Sequence, residues 1–268
     1  MSKPETVGVV IPTYNSARTI ERALDSVHRQ TLRPNHVVVV DNGSSDNTTS
    51  IVERFAAAFP HLNIELRRLE SNHGPGHARN IGWDLCRTTL IAFLDSDDAW
   101  HPQKLQIQLD IVMRHPTVVL FGHRYQIATD GITPLHQTLV EESLTRRYSL
   151  RHFLLRNRLS TPTVMIRRDL PYRFPQDVWF AEDFALWTRV VAERGPAVVS
   201  DAMLTYLFKP AYGADGLSAR LVEMHQGELT ALKHLRSAHH ISAPLNILVS
   251  TWMRLKYLRR KLQVTRRD

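Results

Sequence analysis

The stretch Val7-Gly8-Val9-Val10-Ile11-Pro12-Thr13-Tyr14-Asn15 decides the class of fold. Its apolar run, stopped by Pro12, reads as a strand buried on both faces. Just beyond, Ile20, Ala23, Leu24 and Val27 recur at helical spacing, with Asn15 or Ser16 available as the N-cap. The alternation then repeats. Residues 37–40 form a second apolar strand ending at Asp41, and residues 45–48 open a helix carrying Ile51, Val52 and Phe55. Residues 63–69 give a third strand, and the Gly74-Pro75-Gly76 turn leads into a helix through Ala78, Ile81 and Leu85. Residues 90–94 give a fourth, followed by an acidic cluster and a helix begun by Pro102. Such alternation predicts an α/β fold, a mostly parallel central sheet flanked by helices on both faces. Ligands of open α/β sheets bind beyond the carboxyl ends of the strands, where Thr13, Asp41 and Asp95 stand.

The later chain is less periodic. Between residues 141 and 173, rich in arginine, the pattern predicts a helix over 149–155 and a strand over 163–166. Residues 182–194 read as a helix with Phe184, Trp187, Val190 and Val191 facing a core and Gly195 as its stop. From Ser242, with Pro244 in the first turn, a long helix carries an apolar stripe of Leu245, Leu248, Val249, Trp252, Leu255 and Leu262. There is no internal repeat and no low-complexity linker.

Composition narrows the function classes. An apolar content of 43% with 22% charged residues is that of a soluble globule, which excludes wholesale disorder and a fibrous repeat. A single cysteine, Cys86, makes neither an internal disulfide nor a zinc cluster and fits a reducing compartment. The first five residues hold no apolar segment of a signal peptide, and no run reaches the roughly 18 apolar residues that span a bilayer. The net charge of +8 is uneven: residues 254–268 hold seven basic residues against Asp268, a net +6, leaving +2 elsewhere. A whole-surface attraction to nucleic acid therefore loses its support. The basic tail reads either as an in-plane membrane anchor with Trp252 at the interface, or as a stripe packed on the body of the protein.

Several clusters carry chemistry. Asp95-Ser96-Asp97-Asp98 comes directly off a strand, and three carboxylates so close call for a divalent cation or a diphosphate–metal complex; oxygen ligands suit Mg²⁺ or Mn²⁺ over zinc. A solvated loop whose acids cap the following helix accounts for the same residues. Asp41-Asn42-Gly43-Ser44-Ser45-Asp46 places a carboxylate where a nucleobase imide can donate to it, while turn and cap chemistry explains Ser44 to Asp46 equally well. Tyr14 can stack on a base or plug the sheet edge. The segment from Asn72 to Asn80 brings two glycines and Arg79 to a helix start, where backbone can approach phosphate or simply turn. Glu182-Asp183 at a helix start offers either favourable dipole placement or a general base. None of the fourteen histidines falls in a metal-binding HExxH pattern.

Taken in order, these segments resemble the inverting glycosyltransferase family 2, whose members have a GT-A fold. The resemblance rests on residues 9–15 and 38–48, on Ala78-Arg79-Asn80-Ile81-Gly82, on Phe93-Leu94-Asp95-Ser96-Asp97-Asp98 and on Glu182-Asp183. It covers about residues 6–210. It implies a nucleotide-sugar donor, a UDP-sugar first because Asp41 suits the uracil imide, and a hydroxyl acceptor, saccharide or lipid-linked saccharide, with no nucleic acid partner. Pro12, Thr13, Tyr14, Asn15, Asp41, Arg79 and Asp95 would bind the donor, Asp97 with Asp95 would hold Mn²⁺ or Mg²⁺, and Asp183 would be the catalytic base. Glu182, Lys209 and Trp187 are candidates for acceptor or lid contacts. Two departures stand out: Thr88 and Thr89 replace a usual glycine, and no histidine follows Tyr206 on the closing loop, where Lys209, Tyr212 or Ser218 would have to substitute. The expected layout is a catalytic domain over 1–217, with a nucleotide-binding half to about 100 and an acceptor-binding half beyond, and a basic helical tail over 218–268. The expected place is the cytoplasm, peripheral to the inner face of a membrane. The rivals are a nucleotidyltransferase and a non-enzymatic polyanion-binding protein.

Overall fold

The computed structural model describes residues 4–128, 143–208 and 220–265. The first hundred residues alternate β1 (Val7–Thr13), α1 (Ile20–His28), β2 (His36–Asp41), α2 (Thr48–Ala58), β3 (Ile64–Arg68), α3 (Pro75–Leu85) and β4 (Leu90–Phe93). Then follow β5 (Ala99–Trp100), α4 (Lys104–Arg114), β6 (Leu120–Ile127), β7 (Thr145–Tyr148), α5 (Leu150–Leu155), β8 (Met165–Arg167), α6 (Glu182–Arg194), β9 (Ala197–Leu207), α7 (Leu221–Ser237) and α8 (Ala243–Thr265).

One sheet runs in the order β3-β2-β1-β4-β8-β6-β9-β5, with β7 added on β9. The four strands read from the first hundred residues pair in parallel throughout. The pairings of β8 and of β5 and β7 are antiparallel, while β6 and β9 run parallel. The period-2 alternation of a strand splits the core in two. Val7, Val9, Ile11, Val37 and Val39 face one apolar cluster with α1, α2 and α4. Val10, Val38 and Val40 face the other, with Trp83, Phe93, Phe174 and Trp187. A third cluster joins α6, α7 and α8 through Phe184, Leu232, Leu235, Val249 and Met253.

Some boundaries differ from expectation for clear reasons. β1 does not stop at Pro12 but runs to Thr13, in register with Asp41. Val10 accepts the Leu94 N–H at 3.0 Å, so alternate residues of β1 bond toward β4, and β4 has already ended at Phe93. Pro12 thus stands where the ladder asks for no donor. α1 is capped by backbone: Ser16 O accepts from Thr19 N and Ile20 N, both at 2.9 Å, rather than by the Asn15 or Ser16 side chain. α4 begins at Lys104, without a side-chain cap from the acids at 97 and 98. Thr88 and Thr89 fit in place of glycine: Thr88 Oγ1 donates to Leu90 O at 2.9 Å, and Thr89 exchanges bonds with Thr6. Among the described residues no helix is long and apolar enough to cross a membrane.

α7 sits unusually close to the segment that enters α6. A Cβ built on Gly227 would lie 1.8 Å from the Phe180 carbonyl oxygen, a contact only glycine permits. We expect Gly227→Ala to cost about 1–3 kcal/mol in urea unfolding, because backbone must move to admit one methyl group.

Candidate active site

Three loops leave the carboxyl ends of β1, β2 and β4 and are tied to one another. Asn15, held at φ 49°, donates its N–H to Ser44 Oγ at 2.9 Å and accepts the Ser45 N–H at 2.9 Å. Asp46 accepts from Ala17 N at 3.0 Å, and the Ser16 and Ser96 hydroxyls share a hydrogen bond of 2.8 Å. Asn42 turns to the next loop: its amide donates to Asn72 Oδ1 and Gly74 O and its oxygen accepts from His73 N. This fixes the turn in which Gly74, at φ 86°, starts α3.

At the base of the crease, Thr13 and Asp41 are neighbours in register and both are buried. Asp41 Oδ2 accepts from Ser44 N at 3.3 Å, but Asp41 Oδ1 and Thr13 Oγ1 are buried with no hydrogen-bond partner among the described residues. Buried polar atoms are satisfied in nearly every folded protein, so this pair suits a polar ligand edge. Pro12 is buried beneath it, and the Tyr14 ring beside it is 48% exposed.

Arg79 binds the acidic loop to the far half of the molecule. Carried by α3, its buried guanidinium donates to Asp95 Oδ1 at 2.6 Å and to Glu182 Oε1 at 2.7 Å. Burial alone would lower its affinity for the proton, but Asp95 and Glu182 outweigh it and keep the guanidinium charged. Asn80 adds a two-way bond, donating to Phe174 O and accepting from Phe174 N. Gly76 leaves the space that Glu182 fills, since a Cβ there would lie 3.2 Å from Glu182 Cγ.

Arg22 donates to the Asp97 carbonyl at 2.6 Å. Burial, with the neighbouring charges of Asp97 and Asp95, pushes the Asp98 carboxyl well up from its ordinary range. The described residues contain no group of three or more His, Cys, Asp or Glu side chains placed to hold a metal ion by themselves. Asp95 and Asp97 offer carboxylate oxygens, the donor type that hard divalent cations take.

α6 opens on a strained residue. Ala181, at φ 59° and ψ 27°, is a left-handed non-glycine residue, and it aims Glu182 and Asp183 into the space beside Arg79. Asp183 accepts from its neighbour Phe184 N at 2.6 Å and from Asn157 Nδ2 at 3.1 Å. Burial and then the Glu182 charge push the Asp183 carboxyl up to about 7, against the pull of Phe184 N–H, Arg79 and Asn157. A half-buried carboxylate tuned near neutrality is chemically suited to take up a proton.

The structure thus gathers Pro12, Thr13, Tyr14, Asn15 and Asp41 at the strand ends, and ties Asp95 to Glu182, and so to Asp183, through Arg79. Two of the expected residues have well-defined surroundings. Trp187 is fully buried against Phe93 and Phe174 and presents no surface to an acceptor or a lid. Arg79, read as a cation for the donor, spends its two terminal nitrogens on Asp95 and Glu182. Lys209, Tyr212 and Ser218 lie outside the described residues. Asn157 and the half-exposed Trp179, which packs over Gly74, went unmarked; no spacing or composition signals them.

Comparisons with known proteins bear on the family and the fold. Residues 8–170 match the family model described as glycosyl transferase family 2. The chain is 28% identical over 197 residues to UDP-Glc:alpha-D-GlcNAc-diphosphoundecaprenol beta-1,3-glucosyltransferase WfgD of Escherichia coli, covering 72% of this chain and 73% of that protein. In structure it resembles S. aureus TarS 1-349 in complex with UDP-GlcNAc, with a TM-score of 0.71 and 23% identity over 96% of this chain and 73% of that one. The mannosyltransferase PcManGT of Pyrobaculum calidifontis, in complex with GDP-Man and Mn²⁺, gives 0.63 and 21% over 97% and 83%. At these identities the two structures bear on the fold alone.

Removing the buried cation leaves two carboxylates without their partner. Arg79→Met should destabilise the protein by about 3–5 kcal/mol in urea unfolding, and adding Glu182→Gln should recover part of that loss.

Proposed function

The chain belongs to glycosyltransferase family 2, whose transferases build polysaccharides and glycolipids, and we propose that it moves a sugar, with inversion, from a UDP-sugar to a hydroxyl of a saccharide or lipid-linked saccharide. Family membership sets aside the nucleotidyltransferase and the non-enzymatic polyanion binder. The observation that carries the reading is the Arg79 bridge, which holds Asp95 of the acidic loop and Glu182 at the start of α6, next to Asp183, in one frame.

In this reading Asp41 Oδ1 accepts the uracil N–H, Thr13 Oγ1 meets the same polar edge and Tyr14 covers the base. Asp95 and Asp97 would hold Mg²⁺ or Mn²⁺; when bound, the ion neutralises charge on the departing diphosphate. Asp183 accepts the acceptor's hydroxyl proton as the new carbon–oxygen bond forms at the anomeric carbon. The bond to the diphosphate breaks, its electron pair leaving with the nucleotide. A single displacement of this kind inverts the anomeric centre. Glu182 stays with Arg79 and fixes the helix that carries the base. Asn157 orients the Asp183 carboxylate, and Lys209 remains a candidate for the closing loop. The domain division at about residue 217 belongs to the same reading. So does peripheral contact of the tail with a membrane's inner face, because WfgD is named for a lipid-linked acceptor.

A UDP-sugar with Mn²⁺ should raise the melting temperature, by the equivalent of about 2.7 kcal/mol at a hundredfold excess over Kd. Asp97→Ala should erase that metal-dependent response; an unchanged response refutes the metal assignment. Asp183→Asn should keep donor binding and lose at least about 10²-fold in transfer. The base must be ionised, so the log of kcat should rise with pH and level off above about 7, where the Asp183 proton is gone. Asp183→Asn should abolish that limb.

A further inference from the structure

α8 has two unlike sides. Val249 and Met253 turn inward, the Tyr257 ring stacks on His225 at 4.8 Å, and Arg260 pairs with Glu228 at 3.2 Å. The helix is therefore docked on the body of the protein. Yet Leu245, Leu248, Trp252, Leu255 and Leu262, spaced three, four or seven residues apart, are all exposed, at 37–67%. They form one outward stripe. An outward apolar stripe five turns long on a soluble globule marks an interaction surface.

Its chemistry selects the occupant. Exposed Arg254, Arg259 and Lys261 accompany the stripe, exposed Arg151 and Arg156 lie on and just after the neighbouring α5, and α8 contains no acidic residue. A second copy of the same face would set like charges against one another. A nucleic acid would have no use for the leucines. An anionic bilayer satisfies both the apolar stripe and its basic margin.

Its position gives the docking a purpose. Trp252 Nε1 and Lys256 Nζ donate to the Leu155 carbonyl at 3.0 and 3.3 Å, and Leu155 is itself exposed. Two residues further, Asn157 reaches Asp183. No more than about 7 Å of chain separates the edge of the stripe from the residue that orients the base.

We propose that the outward face of α8, continued by Leu155, seats in the interface of an anionic membrane and holds Asp183 over the headgroup of a lipid-linked acceptor in that membrane. The inference rests on the glycosyl-transfer reading for its acceptor, but its test does not. The full chain should sediment with phosphatidylcholine vesicles that contain phosphatidylglycerol, weakly with phosphatidylcholine alone, and less as salt rises. Leu248→Glu combined with Leu255→Glu should lower the bound fraction about tenfold or more at unchanged melting temperature, since both side chains are already in solvent. Equal binding by the variant overturns the proposal, as does wild-type protein that stays in the supernatant, or light scattering that shows a dimer made monomeric by the same changes. The UDP-sugar thermal shift, measured on both proteins, separates the two ideas. Its absence from the wild type refutes the transfer reading and leaves a vesicle result standing, while its persistence in a variant that no longer sediments supports the docking face.

Discussion

A guanidinium taken out of water must be paired, and the pairing of Arg79 organises this molecule. Its partners lie 16 residues downstream on the loop after β4 and 103 residues downstream at the start of α6. The guanidinium and Glu182 are buried and Asp95 is partly so, and burial strengthens the electrostatics that tie the three elements together. Nearby details follow from it. Gly76 clears room for Glu182, Asn80 clasps the Phe174 backbone, and Ala181 accepts a left-handed conformation so that α6 begins where the bridge requires. Burial does most to raise the Asp183 carboxyl, and Glu182, kept close by the bridge, adds to it by discouraging a second negative charge beside it.

How much of this was legible depends on how local the cause is. The four parallel strands and their helices announce themselves because each alternates within about twelve residues, and a strand buried on both faces needs a continuous apolar run. The strand-end acids were equally visible, since carboxylates directly after such runs have few structural excuses. β6 and β9 were not: the second half of β6 reads His123-Arg124-Tyr125-Gln126, and it becomes a strand only because β9, some eighty residues on, pairs with it. Arg79 was singled out, but its partners could not be, as nothing local says that Glu182 returns to it. Asn157 carries no signature at all, being a polar residue after a short helix.

The terminal helix shows a different limit. Periodicity identified a stripe at Leu245, Leu248, Val249, Trp252, Leu255 and Leu262 and left open whether it was packed or free. Packing took Val249 from that stripe, together with Met253, and left the other five exposed. A helix apolar over more than half its circumference gives a hydrophobic pattern that cannot say which part is buried. Packing and membrane contact are therefore compatible, since they use different sides.

Pro12 has a consequence beyond its own strand. Another residue there would carry an N–H on the edge of β1 that faces β4, past the point where β4 ends, and that donor would need a partner of its own. With proline the two strands part after Val10 and Phe93 without leaving a backbone donor unpaired. The Thr13–Asp41 pair then stays with β2 while the acidic loop leaves on the other side, and the Ser16 and Ser96 hydroxyls tie the two loops together again.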